Sequence, residues 1–204
     1  MYKGNKGFIL KFGDLAKTLS LEDWKTTSLE DLDSDTEWVA IVTDDAEAYL
    51  NEINAIVTKM KHPKTCFVID LHPCANYKHL QKLWDNYMMV DRESVEVLLS
   101  FIHHHLVNHS MISFTIQDFR VCSVPYPFVK AVSADIVKDA PIDPNAQAMC
   151  YGLCFEQACG LETSYVNAFA KTTDKIGEGK SVPWSIQYSS DNVIEAIFFY
   201  ERKF

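Results

Sequence analysis

The chain has 204 residues, of which 48% are hydrophobic, and its formal net charge is −9. This composition is that of an ordinary globular protein, and the absence of any basic run argues against a nucleic-acid-binding surface. No apolar stretch approaches the ~20 residues of a membrane-spanning helix, and Lys11 and Asp14 interrupt the first one, so neither a membrane span nor a signal peptide is predicted.

The cysteine content predicts the compartment and the chemistry of the thiols. Six cysteines in 204 residues are far fewer than a small disulfide-stabilised secreted domain carries. Most of them lie within apolar stretches, where a free cysteine behaves as a small hydrophobic residue. We therefore expect reduced cysteines in a soluble, intracellular protein, located in the cytoplasm and folded as a single globular domain over residues 1–204.

The negative charge is concentrated near the N-terminus. Residues 14–52 carry twelve acidic side chains against two lysines, and the partly loop-like stretch 14–37 contains the densest run. One interpretation is a solvated loop followed by a helix start. The other is a surface that binds a protein partner with a basic surface, steered by the long-range field. Its candidate binding residues are Asp31, Asp33, Asp35, Glu37, Asp44 and Asp45.

Residues 37–71 show the clearest structural pattern. Residues 37–43 and 65–71 are short apolar runs with β-branched residues, which predicts two buried strands. Over residues 44–61 apolar side chains recur at helical spacing, after a capping-box-like start at Asp44 and Glu47. Strand, helix and strand with short connections predict a right-handed βαβ unit with parallel strands.

The later elements are predicted from the same periodicities and from turn residues. They are helices over 77–89 and 91–108, strands over 112–121 and 128–137, a helix over 144–159, and strands over 182–188 and 193–200. The last two strands flank a short polar turn, which predicts a hairpin. Residues 163–172 fit either a helix or a strand.

This order of elements predicts the fold class. We expect an α/β or α+β domain with a mixed sheet, an N-terminal βαβ unit, a central helix pair and a C-terminal β-hairpin. Because the predicted strands and helices stop alternating after residue 71, a doubly wound nucleotide-binding fold is not expected.

The best-placed polar side chains follow the two strands of the βαβ unit. Asp44 and Asp45 come after the first strand, and Asp70, His72 and Cys74 come at or after the end of the second. Ligands of open α/β sheets bind beyond the carboxyl ends of the strands. A cysteine beside a histidine can also be activated as a thiolate nucleophile. Asp70, His72 and Cys74 are thus the candidate catalytic residues if the protein is an enzyme.

A run of histidines and a group of cysteines are weaker candidates. His105 and His109 have the i, i+4 spacing of a metal-binding helix, but histidines in a last helical turn also interact favourably with the helix dipole. Cys150, Cys154 and Cys159 match no common zinc or iron–sulfur spacing. The sequence therefore predicts no metal site and no cofactor, and it leaves open whether His103–His105 and His109 bind a metal.

The functional interpretation rests on the acidic stretch and on the absence from the sequence of a glycine-rich phosphate loop, a common metal-ligand spacing and a nucleophile turn. We predict a non-catalytic intracellular protein that acts by macromolecular binding, as an inhibitor, immunity-type or regulatory factor. The alternative is a small hydrolase or transferase with its site at the carboxyl ends of strands 37–43 and 65–71.

Overall fold

A computed structural model of the chain describes residues 7–20, 24–32, 36–60, 62–72, 74–108, 114–136, 140–156, 163–176, 180 and 182–202. Its strands are β1 (Gly7–Phe12), β2 (Trp24–Thr26), β3 (Val39–Thr43), β4 (Cys66–Asp70), β5 (Tyr87–Val90), β6 (Phe128–Asp135), β7 (Ala148–Glu156), β8 (Trp184–Ser189) and β9 (Val193–Tyr200). Its α-helices are α1 (Asp14–Lys17), α2 (Leu50–Lys59), α3 (Tyr77–Leu83), α4 (Val95–Ile102), α5 (Ile116–Ser123) and α6 (Thr163–Thr173).

All the strands of the described residues form one mixed sheet in the order β2-β1-β3-β4-β5-β6-β9-β7-β8. The pairs from β2 to β6 are parallel. Strand β9 is antiparallel to both of its neighbours, β6 and β7, and β8 adds to β7 in parallel. The sheet thus joins a parallel N-terminal part to a mixed C-terminal part.

The predicted βαβ unit is confirmed. Strands β3 and β4 are parallel neighbours, paired from Val39–Cys66 to Thr43–Asp70, and α2 connects them. Every residue of both strands is buried, because helices cover both faces of a parallel sheet. One core contains Ile53, Leu80 and Phe169 from α2, α3 and α6. The opposite core contains apolar residues of α1, α4 and α5, including Ala16, Leu98 and Phe119.

The fold class, a mixed α/β sheet with packed helices, is confirmed, but the prediction that alternation stops after residue 71 is wrong. The predicted helix over 77–89 ends at Leu83, and Tyr87–Val90 forms β5 between β4 and β6. The central helix pair is therefore separated by a strand. Four consecutive buried apolar residues fit a strand as well as the end of a helix, and periodicity does not separate the two.

Two segments of the C-terminal half have a secondary structure that differs from the predicted one. Residues 116–123 form a helix rather than a strand, begun by a capping box between Thr115 and Asp118. The predicted helix over 144–159 is strand β7 from Ala148 to Glu156, and residues 157–159 lie outside the described residues. Eight of the nine β7 residues are buried, so the strand shows no alternation that sequence could reveal.

The predicted C-terminal hairpin is also wrong. Strands β8 and β9 are not neighbours, because β7 lies between them and pairs with both. The ambiguous segment 163–172 falls within helix α6. No helix in the described part of the chain is both long and apolar enough to cross a membrane.

Candidate metal centre

Three strands of the C-terminal part place a row of side chains on one face of the sheet. Gly152 on β7 is in register with Glu195 on β9 on one side and with Ser185 on β8 on the other. Residues two apart on a strand face the same side, so Cys154 lies next to Gly152 on this face. Cys154, Ser185 and Glu195 are all buried.

The end of helix α4 covers this row. The helix continues into a π-helical turn, His103–Val107, in which the amide of Asn108 donates to the carbonyl of His103 at 3.0 Å. A π-helical turn contains more residues than an α-helical turn, so adjacent side chains diverge less, and such turns are frequent at functional sites. His104 and His105 can therefore both approach the sheet.

The carboxylate of Glu195 is the centre of the cluster. Its Oε2 lies 3.5 Å from Nδ1 of His104, 3.3 Å from Nε2 of His105 and 3.9 Å from Sγ of Cys154. Cys154 Sγ also lies 3.7 Å from His104 Nδ1 and 3.5 Å from His105 Nε2. One donor atom each from His104, Cys154 and Glu195 can be chosen so that all three lie within 4.8 Å of one another.

The charge states follow from burial and from the contacts. Burial acts to raise the pKa of Glu195, but contacts with His104 and His105 outweigh it and lower the pKa to about 2. Burial lowers the pKa of His105 despite the neighbouring carboxylate. Burial and the same carboxylate raise the pKa of Cys154 above its usual range. At neutral pH Glu195 is therefore a carboxylate and Cys154 a protonated thiol.

The sequence predicts only part of this cluster. His103–His105 was a candidate, and the structure separates its members: His103 packs near the ring of Trp24, with centroids 5.9 Å apart, whereas His104 and His105 enter the cluster. His109 and Cys159 lie outside the described residues. The sequence pattern predicts a helix at Cys154, and it gives no prediction for Glu195 beyond its place in a strand. The available signal was one carboxylate within the otherwise apolar run of β9, since a buried charge needs partners.

The residues predicted at the strand ends form a different region. Asp44 accepts hydrogen bonds from the backbone amides of Leu15 and Ala16, both at 2.8 Å, and so caps α1. Asp45 accepts from the amides of Glu47 and Ala48 before α2. In dinucleotide-binding α/β folds, the amides at the start of the helix after the first strand bind phosphate. Here the amides of α1 donate to the chain's own carboxylate instead.

Asp70 and Cys74 are held by nearby groups. Buried Asp70 accepts from the hydroxyl of Tyr87 at 2.8 Å and from the amide of His72 at 3.1 Å. Burial raises the pKa of Asp70 to about 6, although both donors act to lower it. Cys74 Sγ accepts from the amide of Asn76 at 3.3 Å, and burial raises the pKa of Cys74. The side chain of His72 is exposed.

The proposed acidic binding surface is only partly within the described residues. Asp31 is exposed and accepts a hydrogen bond from the hydroxyl of Ser28 at 2.7 Å, and Glu37 is also exposed. Asp33 and Asp35 lie outside the described residues. The five described cysteines, Cys66, Cys74, Cys122, Cys150 and Cys154, are free thiols.

Comparison with known proteins gives a weak structural likeness. No protein-family model and no curated protein matches the chain. Among solved structures it is similar to FtsZ of M. jannaschii, with a TM-score of 0.47, 10% identity and coverage of 81% of this chain and 66% of that one. It is also similar to TubZ of Bacillus thuringiensis serovar israelensis in GDP-form protofilaments, with a TM-score of 0.36, 13% identity and coverage of 79% and 53%.

A third similar structure is CetZ of Methanosaeta thermophila, with a TM-score of 0.40, 9% identity and coverage of 81% of this chain and 52% of that one. The chain thus spans between about half and two thirds of these proteins. The prediction of a non-catalytic inhibitor, immunity-type or regulatory factor is wrong on this comparison, because the similar structures are FtsZ, TubZ and CetZ proteins. At TM-scores below 0.5 the likeness assigns this chain no ligand and no activity.

Proposed function

We propose that this protein binds one transition-metal ion, preferentially Zn²⁺, through His104 Nδ1, Cys154 Sγ and a carboxylate oxygen of Glu195. The three ligands come from the π-helical turn, from β7 and from β9. A bound ion therefore links the end of α4 to two neighbouring strands of the sheet.

The distances among the donor atoms carry this proposal. Zn–N and Zn–O bonds of about 2.0–2.1 Å and a Zn–S bond of about 2.3 Å place the ligand atoms of a tetrahedral site about 3.3–3.7 Å apart. The corresponding separations here are 3.5, 3.7 and 3.9 Å. A charge-assisted N–H···O⁻ hydrogen bond would instead be about 2.7–2.9 Å long. The cluster is thus too open for good hydrogen bonds and close to the spacing that a metal requires.

The ligand types favour zinc over harder cations. Ca²⁺ and Mg²⁺ are bound by oxygen atoms, whereas a set of imidazole, thiolate and carboxylate ligands is typical of Zn²⁺. The raised pKa of Cys154 does not oppose this assignment. A bound metal displaces the thiol proton, which makes the affinity depend on pH.

Metal content and affinity test the proposal. We expect the protein, purified without chelators, to hold one equivalent of zinc, as measured by inductively coupled plasma mass spectrometry. His104→Gln, Cys154→Ser and Glu195→Gln are expected to lose it, because each removes one ligand.

Each of these variants has a matched control outside the cluster. His103→Gln changes the preceding histidine of the same turn, Cys150→Ala changes a buried cysteine of the same strand, and Glu156→Gln changes a carboxylate at the end of that strand. All three controls are expected to retain zinc. A wild-type protein that takes up neither Zn²⁺ nor Co²⁺ in titration would contradict the proposal.

A further inference from the structure

We propose that His105 Nε2 supplies the fourth ligand of this centre and that Ser185 is the positioning residue that holds it there. The inference rests on the proposed metal binding and extends it. It makes the centre a closed site with four protein ligands, rather than an open site with a water molecule in the fourth position.

The position of Nε2 is the first step of the argument. It lies 3.3 Å from Oε2 of Glu195 and 3.5 Å from Sγ of Cys154. Both distances agree with the roughly 3.3–3.7 Å edges of a tetrahedral zinc site. Five of the six separations among the four donor atoms lie between 3.3 and 3.9 Å. The sixth, between His104 Nδ1 and His105 Nε2, has to be about 3.3 Å when both nitrogens bind one zinc ion.

The other ring nitrogen is held as in metal-binding histidines. Nδ1 of His105 lies 2.6 Å from the hydroxyl oxygen of buried Ser185. Histidines that bind metals through one nitrogen usually donate the other N–H to an acceptor, which fixes the tautomer and the ring orientation. With Nδ1–H donating to Ser185 Oγ, Nε2 carries no proton and keeps its lone pair for a metal ion, 3.5 Å from Cys154 Sγ and 3.3 Å from Glu195 Oε2.

Gly152 provides the space for this ring. A Cβ atom at position 152 would lie 2.0 Å from Nε2 of His105. The ring also packs against Phe101, with centroids 4.9 Å apart. A glycine between Glu195 and Ser185 in the cross-strand row thus lets the imidazole bridge them directly above the sheet.

A closed site has a structural consequence. Zinc sites with four protein ligands are structural, whereas catalytic sites keep one position for water or substrate. The side chain of His105 is fully buried, that of Glu195 is 4% exposed, and that of His104 is 19% exposed. The ion thus cross-links the π-helical turn to β7 and β9, and Ser185 extends this support to the edge strand β8.

X-ray absorption of the zinc-loaded protein tests the inference directly. We expect the wild-type spectrum to fit two imidazoles, one sulfur and one oxygen, and the Co²⁺-loaded protein to show the strong visible bands of tetrahedral cobalt. His105→Gln is expected to leave one imidazole. Ser185→Ala is expected to weaken zinc affinity about 10- to 100-fold, with recovery in Ser185→Thr, while the control Ser189→Ala on the same strand binds as the wild type.

Two results separate the inference from the proposed function. A wild-type protein that binds one zinc ion with a single imidazole and an additional water oxygen would overturn the role of His105 and leave metal binding intact. The absence of any bound metal would overturn metal binding itself. Circular dichroism of the metal-free variants shows whether each one folds, and a folded Ser185→Ala protein of unchanged affinity would overturn the positioning role.

Discussion

The strand-end region and the candidate metal centre both contain acidic side chains close to histidine and cysteine residues. The two regions differ in the groups that contact the carboxylates. At the strand ends, Asp44, Asp45 and Asp70 accept backbone amides at 2.8–3.1 Å, which are ordinary hydrogen-bond lengths. In the metal centre, the groups around Glu195 are side chains at 3.3–3.9 Å. A carboxylate that accepts hydrogen bonds from backbone amides stabilises a turn or a helix start. A buried carboxylate whose neighbours are potential metal ligands at longer distances is suited to binding an ion.

Each region also contains a glycine whose missing side chain makes room for a polar group. Gly13 has a φ of 93°, and a Cβ there would lie 2.4 Å from Oδ2 of Asp44. Gly152 makes room for His105 in the same way. At Gly13 the space allows a helix cap to form, and at Gly152 it allows a ligand to approach the sheet.

The largest expected effect comes from Gly152→Ala. The new methyl group displaces the His105 ring from Ser185 and Glu195, and breaking such buried polar contacts typically costs about 3–5 kcal/mol. We expect a loss of this order in the free energy of unfolding from denaturant titration, together with loss of zinc. A change below about 1 kcal/mol would show that the ring can move without cost.

Removing the metal is expected to have the next largest effect. A ligand that binds only the folded state, at 100 times its Kd, stabilises that state by about 2.7 kcal/mol. Adding a chelator should therefore lower the free energy of unfolding of the wild type. Cys154→Ser, which already lacks a ligand, should respond far less. Equal responses of the two proteins would show that the stabilising metal ion binds outside this centre.

The contrast between the regions explains which parts were predictable. The βαβ unit was predicted correctly because its helix has one apolar face and its strands are short runs between turn residues. Strands β5 and β7 were predicted as helices because they are buried on both faces and have no alternation. The pairing of β9 with β6 and β7 depends on contacts distant in sequence, which no local pattern contains.

The same reasoning applies to the sites. Asp44, Asp45, Asp70 and Cys74 were predicted as site residues because they lie at or just after the ends of two predicted strands. Their described hydrogen bonds are largely those of caps and turns. The four proposed ligand residues are 41 to 91 positions apart in the sequence, except for the neighbours His104 and His105. Only the mixed C-terminal strand order brings them together.

A smaller effect is expected at the strand ends from Asp44→Ala. The substitution removes the acceptor of two α1 amides, and losing a cap of this kind costs about 0.5–2 kcal/mol. We expect such a loss in the free energy of unfolding with unchanged zinc content. Asp31→Ala, at an exposed position, is the control and should stay within about 0.5 kcal/mol of the wild type. Loss of zinc from Asp44→Ala would contradict the independence of the two regions.

The smallest effect concerns the pH dependence that Asp70 contributes. Its pKa is raised from 3.8 to about 6, chiefly by burial, so the folded state keeps this proton to a higher pH than the unfolded state does. The sign of the linkage is therefore that stability falls as the pH rises from about 4 through 6, by about 1 kcal/mol between pH 5 and 7 for this group. Asp70→Asn, whose amide oxygen can still accept from Tyr87, should lack this component. Denaturant titrations at both pH values, with chelator present throughout, compare the two proteins without a metal contribution. If the wild type and Asp70→Asn lose the same stability over this range, the Asp70 carboxyl titrates as it does in the unfolded chain, and its burial has no electrostatic cost.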